Sequence, residues 1–159
     1  MLTTFKRLTF LLLALSTPLA QADHLQVKNA WIPEAPPVSQ VLAAYMVLEN
    51  RHDEDTKIIA IESPDFGSIE MHQSKEVDGI AKMLPQKTLT IPAQGQLELK
   101  PGSYHLMLFN PKRKLRDGDK VELKISLDRG SFSIIARVKK AGSISRGMKC
   151  GAGKCGGGK

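Results

Sequence analysis

From Asp23 to Val138 the chain contains no cysteine. An electron-transfer copper site draws on a cysteine thiolate, so this span cannot hold one. The chain also lacks a Gly-x-Ser-x-Gly turn, and no Ser, His and Asp arrangement stands out. A hydrolase therefore has no residues to stand on, and the chain reads as a binding protein, not an enzyme. Sustained helical periodicity is missing as well. Beyond the first residues no apolar run is long enough to cross a bilayer as a helix. Acidic residues are absent from Lys139 to Lys159, where Lys139, Lys140, Arg146, Lys149, Lys154 and Lys159 are all basic. That tail and the leader residues Lys6 and Arg7 account for the formal charge of +7. The span between them carries 15 basic and 16 acidic residues. A nucleic-acid partner would need its positive charge on a folded face, so none is expected.

What is present begins with a leader. Lys6 and Arg7 precede the apolar stretch Leu8 to Leu15, and Ala20-Gln21-Ala22 follows as a small-residue cleavage site. This is the layout of a signal peptide over residues 1–22. The mature chain is expected to begin at Asp23, and no cysteine follows the cut to carry a lipid, so no membrane anchor is expected. The reading places the protein in the periplasm of a Gram-negative bacterium.

The body reads as strands. Leu25–Ile32, Val41–Leu48, Lys57–Ile61, Ser68–His72, Ile80–Leu84, Leu89–Ile91, Leu97–Leu99, Tyr104–Phe109, Lys120–Leu127 and Ser131–Val138 are short runs rich in aliphatic residues. Turn signals at Pro36-Pro37, Asp78-Gly79, Pro101-Gly102, Asp117-Gly118 and Arg129-Gly130 separate them. Ala43 to Glu49 also admits a helix, but alternation in a β context favours strand. Short strands at this spacing predict one all-β domain over 23–138, a sandwich or barrel. Residues 139–159 form a basic tail rich in Gly and Lys, with both cysteines, that cannot bury a core and is expected to be flexible.

The rarest ligands of the chain fall into one pattern. His72, Met83, His105 and Met107 read His-x10-Met-x21-His-x-Met, in a chain with four His and six Met. A chance match at a preset spacing is about one in ten thousand. Two imidazoles and two thioethers make a soft, neutral donor set that favours Cu(I), whereas magnesium, calcium and manganese want oxygen. His105 and Met107 are two apart on a strand and share a face. A hairpin at Asp78-Gly79 brings His72 towards Met83. Met71 is a further candidate, although as the neighbour of His72 it is expected on the opposite face. Because His must be deprotonated to bind a metal, binding weakens at low pH.

This pattern resembles that of periplasmic copper chaperones of the PCu(A)C type, whose motif is His-(Met)-x10-Met-x21-His-x-Met. The similarity extends to Ala30-Trp31-Ile32, to Ala44 through Asn50, to Leu99 through Met107 and to Leu115 through Asp119, and spans roughly Val27 to Val138. The resemblance implies a cupredoxin-like β-barrel that binds Cu(I) near its surface. It also implies supply of copper to the binuclear copper centre of cytochrome c oxidase. The accepting partner would be an oxidase subunit or a thioredoxin-like assembly factor. Some relatives serve copper storage or tolerance instead. Members often carry an extra Met just after the first His, where this chain has Gln73 and Ser74.

Two further places hold soft or nitrogen donors. Met148, Cys150 and Cys155 lie in the tail, either as a second copper site or as a disulfide closing a small loop. Cleavage after Ala22 would put His24 second in the mature chain, where amine, amide and imidazole nitrogens suit Cu(II); an ordinary frayed terminus is the simpler reading. A structural or partner-binding β domain without metal is the alternative of another class.

Overall fold

The computed structural model describes residues 25–77 and 79–140, with Ala81 described by its backbone alone. Among the described residues there are ten strands and no helix. They are β1 (Leu25–Pro33), β2 (Val41–Asn50), β3 (Thr56–Glu62), β4 (Ser68–Val77), β5 (Ile80–Gln86), β6 (Leu89–Ile91), β7 (Gly95–Leu99), β8 (Tyr104–Phe109), β9 (Lys120–Leu127) and β10 (Gly130–Lys139). Every strand expected from the sequence is present, and Ala43 to Glu49 is strand, not helix. The protein is all-β, and its sheet curls into a nearly closed barrel in the order β5-β4-β8-β2-β1-β10-β9-β3-β6, with β7 on β2.

The alternation of side chains decides which face is core. Along β2, Leu42, Ala44, Met46 and Leu48 point inward, and along β9 Val121, Leu123 and Ile125 do the same. These residues meet Ile32, Ile58, Ile91, Leu99, Leu106 and Leu108 in one core. Burying each such side chain contributes about 1.5–3 kcal/mol. In β1 the alternation breaks once. Asn29 takes a left-handed φ of 53°, and the β1–β2 register shifts between Lys28 and Trp31. The extra residue of this bulge moves the inward set from the odd position Val27 to the even position Ile32. Trp31 is thereby turned out beside Tyr45, with ring centroids 4.8 Å apart.

β2 is the element on which the site depends. Its first half, Val41 to Ala44, pairs with β8, and its second half, Met46 to Asn50, pairs with β7. β1 runs along its other edge. β8 in turn carries β4, and β4 carries β5, whose outer edge is unpaired among the described residues.

Several strands run a residue or two beyond the expected bounds, and β4 runs furthest. β7 begins at Gly95, and β4 continues past His72 to Val77. The polar run Gln73 to Glu76 is not a loop, because its backbone pairs residue by residue with Leu84 to Ala81 of β5. The ladder satisfies backbone groups whatever the side chains are, and on a solvent-facing hairpin polar side chains cost nothing.

Candidate metal centre

Four adjacent strands, β5, β4, β8 and β2, build the site. Their register aligns the donors. His72 lies directly opposite His105, and Glu70 directly opposite Met107, across the β4–β8 pair. Met83 lies opposite Ser74, two residues along from His72, across the β4–β5 pair. Alternation then puts His72, Met83, His105 and Met107 on one face of the sheet. The opposite face of the same strands is core: Met71 stands opposite Leu106, and Ile69 opposite Leu108. Met71 is 6% exposed inside that core, so it lies on the far side of the sheet from His72 and does not join the cluster.

Local sequence explains the placement. β4 and β5 run antiparallel up to Val77 opposite Ile80, and two residues close the hairpin. A two-residue connection of this kind needs left-handed φ, which Gly79 supplies at 73°. On β8 the preceding turn is decisive. Ser103 N donates to Lys100 O at 3.1 Å, with Gly102 at φ 79°, the arrangement that favours Pro then Gly at its centre. The turn aims the Ser103 carbonyl at two donors. Ser74 N reaches it at 3.0 Å, and the His105 ring donates Nδ1–H to it at 3.0 Å. A carbonyl only accepts, so the Nδ1 proton is fixed and Nε2 of the neutral ring is left with its lone pair.

His72 and His105 are both buried, at 9% and 5% exposure, and their ring centroids are 6.1 Å apart. Nε2 of His72 is 2.9 Å from the Glu70 carboxylate. Its Nδ1 is buried and has no hydrogen-bond partner. An unpaired buried nitrogen costs about 1–3 kcal/mol, which is the mark of an atom reserved for something else. Met83 is 61% exposed. It lines a shallow depression of about 270 Å³ with His105, Met107, Ala43, Tyr45 and Pro101. Ala43 stands directly opposite Met107, and its small side chain leaves the space that a larger one would fill.

Among the described residues no group of three or more His, Cys, Asp and Glu side chains converges as a metal set. Any metal held here therefore depends on the thioethers, and thioether sulfur selects soft ions, Cu(I) first. The donor set and the orphaned Nδ1 both fit copper as cargo. Glu70 lies outside the His and Met pattern of the sequence. The signal was available, since residues two apart on a strand share a face, and Glu70 stands to His72 as Met107 stands to His105. His24, Met148, Cys150 and Cys155 lie outside the described residues, as does the leader.

Comparison with known proteins now bears on this geometry. The LpqE-like family model matches residues 25–136. The chain belongs to the LpqE-like family. As a member it is similar to "Putative lipoprotein Lxx21020" of Leifsonia xyli subsp. xyli, at 31% identity over 76% of this chain and 72% of that one. This LpqE-like chain is also similar to the solution structure of CuI-DR1885 from Deinococcus radiodurans, at 32% identity, 77% of this chain, 83% of that chain and a TM-score of 0.59. The copper-bound PCuAC domain from PmoF2 shares the fold at 18% identity, covering 74% of this chain and 93% of that one, with a TM-score of 0.62. The cupredoxin-like barrel expected of the PCu(A)C type is thus the fold of this LpqE-like protein.

Proposed function

We propose that this protein is a periplasmic carrier of Cu(I), with His72, Met83, His105 and Met107 as its ligands, and that it delivers copper for assembly of the copper centre of cytochrome c oxidase. One observation carries the reading: the register of β5, β4 and β8 sets two imidazoles and two thioethers on one face of three adjacent strands. Similarity to copper-bound structures, one of them at 32% identity, supports copper as the cargo. The leader-like residues 1–22 and the lipoprotein name of a relative support export. The protein acts by binding, without bond chemistry of its own. Neutral donors hold the ion firmly enough to suppress free copper. A cysteine thiolate on an acceptor is the stronger soft ligand and draws it away.

The test is a Cu(I) competition titration of the mature chain against a chromophoric chelator. His105→Ala and Met107→Leu are each expected to weaken binding by about tenfold or more, roughly 1.4 kcal/mol. Unchanged affinity in both removes this site from consideration. Oxidase activity of a deletion strain at limiting copper, set against its survival in excess copper, separates supply from tolerance.

A further inference from the structure

We propose that Glu70 is a positioning residue of the site, holding His72 in the tautomer that offers Nδ1 to the metal and supplying the negative charge that the four ligands lack. The inference rests on the copper-carrier reading above and extends it to a residue outside the four-donor motif.

An ionised carboxylate has no proton to give, so the 2.9 Å contact between Glu70 Oε2 and His72 Nε2 is a donation from the ring. The Nε2 proton is then committed, and the neutral ring keeps its lone pair on Nδ1. That is the one buried side-chain nitrogen or oxygen without a partner among the described residues. His105 is fixed in the opposite sense, with Nδ1–H on the Ser103 carbonyl and Nε2 bare. The two facing imidazoles are therefore held as opposite tautomers by two different acceptors, one on β4 and one in the turn that leads into β8.

The acceptors differ in charge. Ser103 offers a carbonyl, whereas Glu70 offers a carboxylate directly opposite Met107. Two imidazoles and two thioethers bring no charge, so a bound monovalent cation would leave the cluster positive. Glu70 restores neutrality from beside the ring without itself ligating. A carboxylate on the far nitrogen also makes a histidine ligand more basic and fixes its orientation, and losing such a partner commonly costs 10–100-fold in metal affinity. Glu70 is half-exposed, so its replacement leaves the core intact.

The experiment pairs a metal-free measurement with a loaded one. In the apo protein, long-range nitrogen–proton NMR correlations of the imidazoles at mildly alkaline pH report which nitrogen of His72 carries the proton. The wild type is expected to show Nε2–H. Glu70→Gln keeps an acceptor and should keep that tautomer, while Glu70→Ala should lose the preference. In the Cu(I) competition titration, Glu70→Ala is expected to bind about 10–100-fold more weakly, with Glu70→Gln between it and the wild type. A Glu70→Ala protein that binds like the wild type, beside a His105→Ala protein that does not, overturns the inference and leaves the carrier intact. Weakened binding with an unchanged His72 tautomer overturns the Nδ1 assignment. A wild type that takes up no Cu(I) sinks the carrier reading itself, which the apo spectra would not reveal.

Discussion

Single residues in this protein are read most directly where two neighbours on a strand have opposite fates. Met71 and His72 are adjacent, yet one packs beneath Leu106 and the other faces His105. Both outcomes follow from the two-residue period of a strand. Tyr45 is another such case. It faces outward beside Trp31, and partial burial raises its phenol above the ordinary value of 10.0. The sign follows from the neutral form being favoured in the fold. The stabilisation is whole below about pH 10 and is lost as pH rises through the folded value. In a Tyr104→Phe background, which leaves Tyr45 as the one tyrosine, the tyrosinate absorbance midpoint is expected above that of free tyrosine. A midpoint at or below the free value would show that the ring is not desolvated. Asn50 shows what residue-level reading misses. It is almost fully buried, yet Nδ2 donates to Glu54 O at 2.8 Å and to Ile91 O at 3.2 Å, while Oδ1 accepts from His52 N at 3.0 Å. Its polarity suggests surface, and only the carbonyls that converge on it in three dimensions make burial affordable.

At the scale of elements, turns were easier to read than strand ends. Gly79 and Pro101-Gly102 both sit where the sequence places a turn, and both serve the site. Gly102 has φ 79° and open space where a Cβ would go. Gly102→Ala therefore meets no clash, and its cost is the backbone conformation alone, about 1 kcal/mol. Chemical denaturation should read that loss. The same variant is expected to loosen the Ser103 carbonyl beneath His105, and an unaltered midpoint would show that the turn carries no strain. Strand ends were less legible. The sequence marks where apolar alternation stops, at His72, whereas the strand stops where its ladder stops, at Val77. Pairing is a property of two segments together, so no polarity pattern in one of them reports it. The hairpin register that sets Met83 opposite Ser74 was implied by the turn. The pairing of β4 with β8, which makes the four donors one cluster, was not.

Strand order is the part of the whole molecule that local pattern leaves open. Alternation identifies β1 and β10 as strands, but not that they run parallel, with Trp31 opposite Arg137. Nor does it show that β2 serves two partners on one edge. The far end of the barrel is closed by charge as well as by ladders. Arg113 Nε meets Asp65 at 2.7 Å, and its Nη2 reaches Asp65 Oδ2 at 3.1 Å and Lys120 O at 2.9 Å. That fork ties the loop after β8 to the β3–β4 connection and to β9. Among the described residues, the outer edge of β5 has no strand partner. Amides of β5 are accordingly expected to exchange with solvent ahead of those in β8 and β2. Cu(I) should slow β5 more than any other strand. Equal protection of β5 and β8 in native-state exchange would contradict this. On the carrier proposal, this edge, unpaired among the described residues, also gives the cargo a preferred direction of departure. His72, His105 and Met107 stand on strands paired along both edges, whereas Met83 rides on β5, a terminal strand with β4 as its partner among the described residues. If the four residues hold the cargo as proposed, the Met83 thioether is expected to be the first contact broken and the last made. On the carrier proposal, loading and unloading are expected to be local events at one border of the sheet, with the other three donors on strands paired along both edges.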